Sequence, residues 1–193
     1  MSAARKAAPV AAPESAATIF SIGHSTHSWP AFQALLQRHG IELLADVRSL
    51  PGSRRWPQFN QAEMSAALAN IGVEYRWLAQ LGGRRRGRGP DSPHRGWQVA
   101  AFRAYADYAE GAEFAHGLEE LIVLARAQRV AFMCSEGLWW RCHRRLIADR
   151  LLIVGWRVLH ILPDGKLSPH QLTSFARVVA GGLIYDGEGE TAT

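Results

Sequence analysis

The stretch 130–145, VAFMCSEGLWWRCHRR, holds both cysteines of the chain together with Glu136, His143 and three arginines. Cys142 is flanked by Arg141, His143, Arg144 and Arg145, whose positive charge favours a thiolate, and a thiolate at neutral pH is a nucleophile. Cys134 is the other candidate nucleophile, with Glu136 or His24 as proton carrier and Arg48 or Arg54 holding an anionic substrate. Three further chemistries stay open but rank lower. Cys134, Cys142, His143 and His24 are zinc-type ligands, yet their spacing is not that of paired-ligand knuckles, and no metal is assigned. The two thiols could form a redox pair, although the Cys-x-x-Cys spacing of dithiol oxidoreductases is absent. Cys134 followed by Arg141 has the outline of a phosphatase loop, but Trp139, Trp140 and a lone glycine between them argue against that cradle.

These side chains need a scaffold that brings them together. Residues 130–133 form a short apolar run with the length of a buried strand, 134–137 break it, and Leu146, Ile147, Leu151 and Val154 recur at helical spacing. Strand, turn and helix put Cys134 and Glu136 at a strand's carboxyl end, where open α/β sheets bind ligands. A first strand is predicted over 18–22, followed by Gly23-His24-Ser25. Ser28 then caps a helix with Trp29, Phe32, Leu35 and Leu36 on its apolar face and His39-Gly40 at its end. A second strand over 41–47 completes a βαβ unit, which implies parallel strands. Next come a helix through Met64, Ala67, Leu68 and Ile71, a third strand over 73–77, and helices on Phe102, Tyr105 and Ala106 and on Phe114, Leu118 and Leu121. A fifth strand is expected over 156–161, and a last helix from Ser168-Pro169 through Leu172, Phe175, Ala176 and Val179, ended by Gly181-Gly182. The expected fold class is therefore α/β, a single three-layer domain with a mostly parallel sheet of about five strands flanked by helices. It spans 18–182 between flexible tails at 1–17 and 183–193. In a parallel sheet the ends of the first, second and fourth strands bring His24, Asp46 with Arg48, and Cys134 with Glu136 to one edge.

The formal charge of +5 is carried almost wholly by arginine, a residue suited to bidentate recognition of phosphate or carboxylate. Two cysteines make no disulfide framework and the Ala/Pro-rich start carries no signal-peptide core, so a reducing cytoplasm is expected. No apolar run approaches the ~20 residues of a membrane span. The arginine-rich loop 84–88 could track phosphates, with Trp77, Trp97, Trp139 and Trp140 as stacking surfaces. The expected partner is an anionic small molecule, a nucleotide or a nucleic acid. The leading reading is a thiol-dependent hydrolase or transferase; the alternative is a nucleic-acid-binding module with structural cysteines. No cofactor and no oligomeric state follow from the sequence. Walker and dinucleotide-binding fingerprints are absent.

Several separated motifs add a family reading. TIFSIGHS at 18–25, Asp46-Val47-Arg48-Ser49 with Pro51, Ser53-Arg54 and Phe59-Asn60, Leu81-Gly82-Gly83, and Cys134-Ser135-Glu136 with Cys142-His143-Arg144 resemble the family called domain of unknown function 488. The resemblance covers about residues 18 to 162, and motifs in the same order make it specific. It implies an α/β domain with an active site drawn from these positions, and no assigned reaction. The candidate catalytic residues are thus Cys134, Glu136, Cys142, His143, His24 and Asp46; the candidate substrate-binding residues are Arg48, Ser53, Arg54, Asn60, Arg141 and Arg144.

Overall fold

A computed structural model describes residues 17–180 and 182–187. Five strands run parallel: β1 (Thr18–Gly23), β2 (Leu43–Asp46), β3 (Glu74–Trp77), β4 (Val130–Cys134) and β5 (Arg157–Ile161). Their spatial order is β3-β2-β4-β1-β5, and β6 (Leu167–Pro169) adds an antiparallel edge beside β5. Pro169 fits there because an edge strand can spare one donor.

Helices cover both faces, as an α/β layer architecture requires. Alternation within β1 sends Phe20 and Ile22 to one face, where they meet Phe32 and Leu36 of α1 (Trp29–Arg38) and Met64 and Leu68 of α2 (Gln61–Ala69). Ile19 points to the other, against Tyr105 of α3 (Ala100–Tyr108), Phe114 and Leu121 of α4 (Ala112–Ala127) and Leu146, Ile147 and Leu151 of α5 (Arg144–Ile153). The predicted cap is present: Ser28 Oγ accepts from the Ala31 N–H at 3.4 Å.

One expected element is absent. In place of a helix from Ser168 to Val179 the chain forms β6, a turn, and a hairpin of β7 (Ala176–Val179) and β8 (Gly182–Tyr185). The reason lies in two polar side chains that helical periodicity ignores. His170 and Thr173 both bond to buried Asp149, and the Thr173 N–H and hydroxyl are both engaged by that carboxylate, which fixes an extended path. Leu183 and Tyr185 of β8 are buried, so the ordered chain continues past the boundary expected at 182. Of the expected tails at 1–17 and 183–193, residues 1–16 and 188–193 lie outside the described residues, as does Gly181. Among the described residues no helix is long and apolar enough to cross a membrane.

Candidate active site

Parallel registration aligns the carboxyl ends of β2, β4 and β1. Gly23 lies opposite Cys134 and Asp46 opposite Met133, and the ladder continues beyond the strands through His24 N–H to Cys134 O, Ser25 N–H to Ser135 O and Val47 N–H to Met133 O. A cavity of about 400 Å³ opens at this edge, bounded by His24, Arg48, Ser53, Cys134, Glu136, Arg141, Cys142 and His143. The placement agrees with the rule that open α/β sheets bind ligands outside strand carboxyl ends.

At its floor the Cys134 and Cys142 sulfurs and His143 Nδ1 lie within 4.8 Å of one another. Nδ1 is 3.6 Å from Cys142 Sγ and 3.9 Å from Cys134 Sγ. His143 Nε2 sits 2.9 Å from the Val47 carbonyl, which can only accept, so Nε2 carries the proton. Nδ1 is then the ring atom that can exchange a proton with either sulfur. Gly83 makes room for this ring: a Cβ there would stand 2.4 Å from Nδ1.

Two residues before α5, whose N-cap is His143, lies Cys142. Burial opposes its ionisation, but a hydrogen bond from Cys134 and then the charge, backbone N–H and side chain of Arg144 outweigh it and bring the thiol down to about 6. Cys134 moves the other way. Its hydrogen bond to Cys142, burial and the neighbouring thiolate push it up to about 12. The two shifts have opposite signs, so a single proton shared by the pair is favoured on Cys134.

Arg144 explains why. It is fully buried yet forms no ion pair among the described residues; instead it donates to Ser21 Oγ at 3.3 Å and to the carbonyls of Glu136 and Gly137. An isolated buried cation is costly, and its charge favours ionisation of the Cys142 thiol. Gly23 gives this guanidinium its path, since a Cβ there would meet the Glu136 carbonyl at 1.8 Å and Arg144 Nη2 at 2.9 Å.

Behind Arg144 runs a buried chain of side chains. Ser21 Oγ lies 2.8 Å from His160 Nδ1, His160 Nε2 lies 3.1 Å from His170 Nδ1, and His170 Nε2 lies 2.9 Å from Asp149 Oδ1. Burial, then the charges of His170 and Arg144, hold His160 well below the ordinary imidazole range. Trp139 stacks on its face at 4.2 Å.

The cavity rim is electropositive. Arg48 is held by Asp46 through Nε and Nη2 at 2.6 to 3.1 Å and lines the cavity beside Arg84 and Arg141. His24 donates Nδ1–H to the Ser25 carbonyl at 3.0 Å and stacks on Phe59, so its Nε2 is a bare acceptor without a protein partner. Burial, then the charge of Arg48, lowers His24 to about 4, and the ring is neutral at pH 7.

Of the twelve candidates, His24, Arg48, Ser53, Cys134, Glu136, Arg141, Cys142 and His143 line the cavity. Four do not. Asp46 is buried behind Arg48 and also accepts from Tyr75 OH at 2.8 Å. Arg144 is buried beneath Cys142, Arg54 is exposed away from the cavity, and Asn60 Oδ1 accepts the Ser53 N–H at 2.6 Å to tie the loop. The basic-arm expectation fares less well. Arg85 bonds the carbonyls of Ala79, Gln80 and Gly82 and covers Tyr108, Arg88 pairs with Glu110, Trp97 is in the core, and Trp139 already stacks on His160. Arg84, expected only as part of the loop 84–88, does line the cavity, whereas sequence reasoning missed the chain Ser21, His160, His170 and Asp149. The signal for that chain was present: polar residues at inward positions of two apolar strands and of a helix.

No curated protein and no solved structure matches the chain significantly. The model of the family described as "Domain of unknown function DUF488" matches residues 28–151, a span that contains both cysteines, the Asp46–Arg48 pair and the Gly82-Gly83 turn but not His24. With well over half of its length covered by that match, the chain belongs to the DUF488 family.

Proposed function

We propose that the protein is an enzyme in which the Cys142 thiolate attacks a small anionic substrate, phosphorylated or nucleotide-like, bound in the cavity at the sheet's carboxyl edge. One observation carries this reading: the Cys142 sulfur lies 3.6 Å from His143 Nδ1, and its ionisation is favoured by Arg144, a buried guanidinium with no carboxylate partner among the described residues. The cavity supplies what such a substrate needs. Arg48, Arg84 and Arg141 face it against the single acidic side chain Glu136, and His24 offers a bare Nε2 to a substrate hydroxyl. In the reaction Cys142 Sγ bonds to phosphorus as the bond to the leaving oxygen breaks. His143 Nδ1, loaded with the Cys142 proton, returns it to that oxygen. Water, or an acceptor hydroxyl, then attacks phosphorus, gives its proton to the now neutral His143 Nδ1, and breaks the S–P bond, which frees the thiolate.

A second reading rests on a specific observation as well. Three ligand atoms within 4.8 Å, with the imidazole's other nitrogen bonded to a backbone carbonyl, match the outer-shell pattern of a metal-bound histidine. A zinc-type ion there would keep its fourth position toward the cavity. The experiment is turnover of nucleotides and sugar phosphates by chelator-treated protein and by Cys142→Ser. Activity of the metal-free protein that Cys142→Ser loses, with its melting temperature kept, supports the thiolate; activity that needs added zinc replaces it with the metal reading.

A further inference from the structure

A second cavity of about 400 Å³ shares no lining residue with the first. It lies between the α3–α4 junction, the end of α5 and the β7–β8 hairpin, and its walls are apolar: Ala109, Phe114, Leu118, Ile153, Leu183 and Ile184. One cation lines it. Arg150 is only 7% exposed, its Nε and Nη2 have no acceptor, and it forms no ion pair among the described residues. The neighbouring carboxylates are already engaged. Asp149 accepts from His170, Thr173 and Tyr185, and Glu110 at the cavity rim is paired with Arg88 at 2.7 Å.

A buried guanidinium without a partner is a strongly unfavourable arrangement unless an anion completes it. We propose that this cavity binds a small organic monocarboxylate with an apolar body, its carboxylate on Arg150 and its body against Phe114, Leu118 and Ile153. The choice of ligand class follows from the lining. A single cation matches a single negative charge, and apolar walls offer no donors for the remaining oxygens of a phosphate dianion, whereas they suit an aliphatic or aromatic group. This site is independent of the thiolate reading.

The test uses the full chain and three probes of equal length, hexanoate, hexan-1-ol and hexylammonium, followed by calorimetry and thermal shift. The expected result is one hexanoate per chain, bound about tenfold or more tighter than either analogue. Arg150→Met lowers hexanoate binding to the level of hexanol and, relieved of its buried charge, melts no lower than the parent without ligand. Leu118→Trp, which fills the cavity and leaves Arg150 in place, abolishes binding even if Arg150→Met fails to fold. Hexanoate that binds no better than hexanol, or equally well to Leu118→Trp, overturns the proposal.

Discussion

Arg144 and Asp149, both fully buried and five residues apart on α5, are joined by one hydrogen-bonded chain through Ser21, His160 and His170. Asp149 Oδ1 faces His170 Nε2, His170 Nδ1 faces His160 Nε2, and His160 Nδ1 faces Ser21 Oγ, which also accepts from Arg144. Ser21→Ala therefore strands a guanidinium and an imidazole nitrogen at once. We expect a loss of about 1–3 kcal/mol in urea unfolding and a rise in the pH at which Cys142 reacts. Asp149→Asn should cost more, about 3–5 kcal/mol, because the buried carboxylate is the shared acceptor of His170, Thr173 and Tyr185 and an amide cannot accept from all of them. Unchanged Cys142 reactivity in a folded Ser21→Ala protein contradicts a role for the chain in holding Arg144.

Cys134 stabilises the thiolate by donating its proton toward Cys142. Replacing it with Ala should raise the Cys142 titration midpoint by about one unit, the equivalent of one modest hydrogen bond. Ser at the same position keeps a donor and should restore most of the shift. Alkylation rates of the two variants decide the point.

Gly83→Ala and Gly23→Ala separate the site from the fold. At Gly83 the new methyl meets the tip of one side chain, His143, so the ring should turn away, Cys142 should lose its partner, and stability should fall by about 1–3 kcal/mol. At Gly23 it meets a backbone carbonyl at 1.8 Å, which nothing nearby can relieve, and folding itself should fail. Circular dichroism and Cys142 reactivity together distinguish the two outcomes.

The thiol pair and His24 give stability a defined pH dependence. Cys142 falls from 9.0 to about 6, so folding releases its proton, and this stabilisation grows as pH rises from 6 to 9 and is absent below 6. Cys134 rises from 9.0 to about 12, so above 9 the unfolded chain loses a proton that the fold retains, and stability declines again. His24 falls from 6.5 to about 4; the unfolded chain takes up its proton first, and stability is lost between those values as pH drops. Urea midpoints across this range should peak near pH 9. The peak should flatten in a Cys134→Ala/Cys142→Ala protein while the His24 limb at acid pH stays.

The edge of the sheet was legible because its signals are local. Short apolar runs ending in Gly23-His24, Asp46-Val47-Arg48 and Cys134-Ser135-Glu136 announce strand ends, and parallel pairing then forces them together. What was not legible depends on partners distant in the chain. Asp46 and Arg144 carry the right chemistry, but only packing shows that they sit behind Arg48 and Cys142. The last helix was misread because an apolar spacing of three and four also occurs by chance around His170 and Thr173, whose bonds to Asp149 over more than twenty residues decide the conformation. Arg85 and Arg88 looked available for phosphates and are engaged by the protein itself.

Nucleophilic catalysis at this site requires Cys142 to be a thiolate at neutral pH. The most direct measurement is the rate of iodoacetamide alkylation against pH in chelator-treated protein, with mass spectrometry assigning each label. Cys142 should titrate with a midpoint near 6 and Cys134 should stay unlabelled until the solution is strongly alkaline. A Cys142 midpoint at the ordinary 9.0, or labelling of both cysteines only on unfolding, would contradict the account.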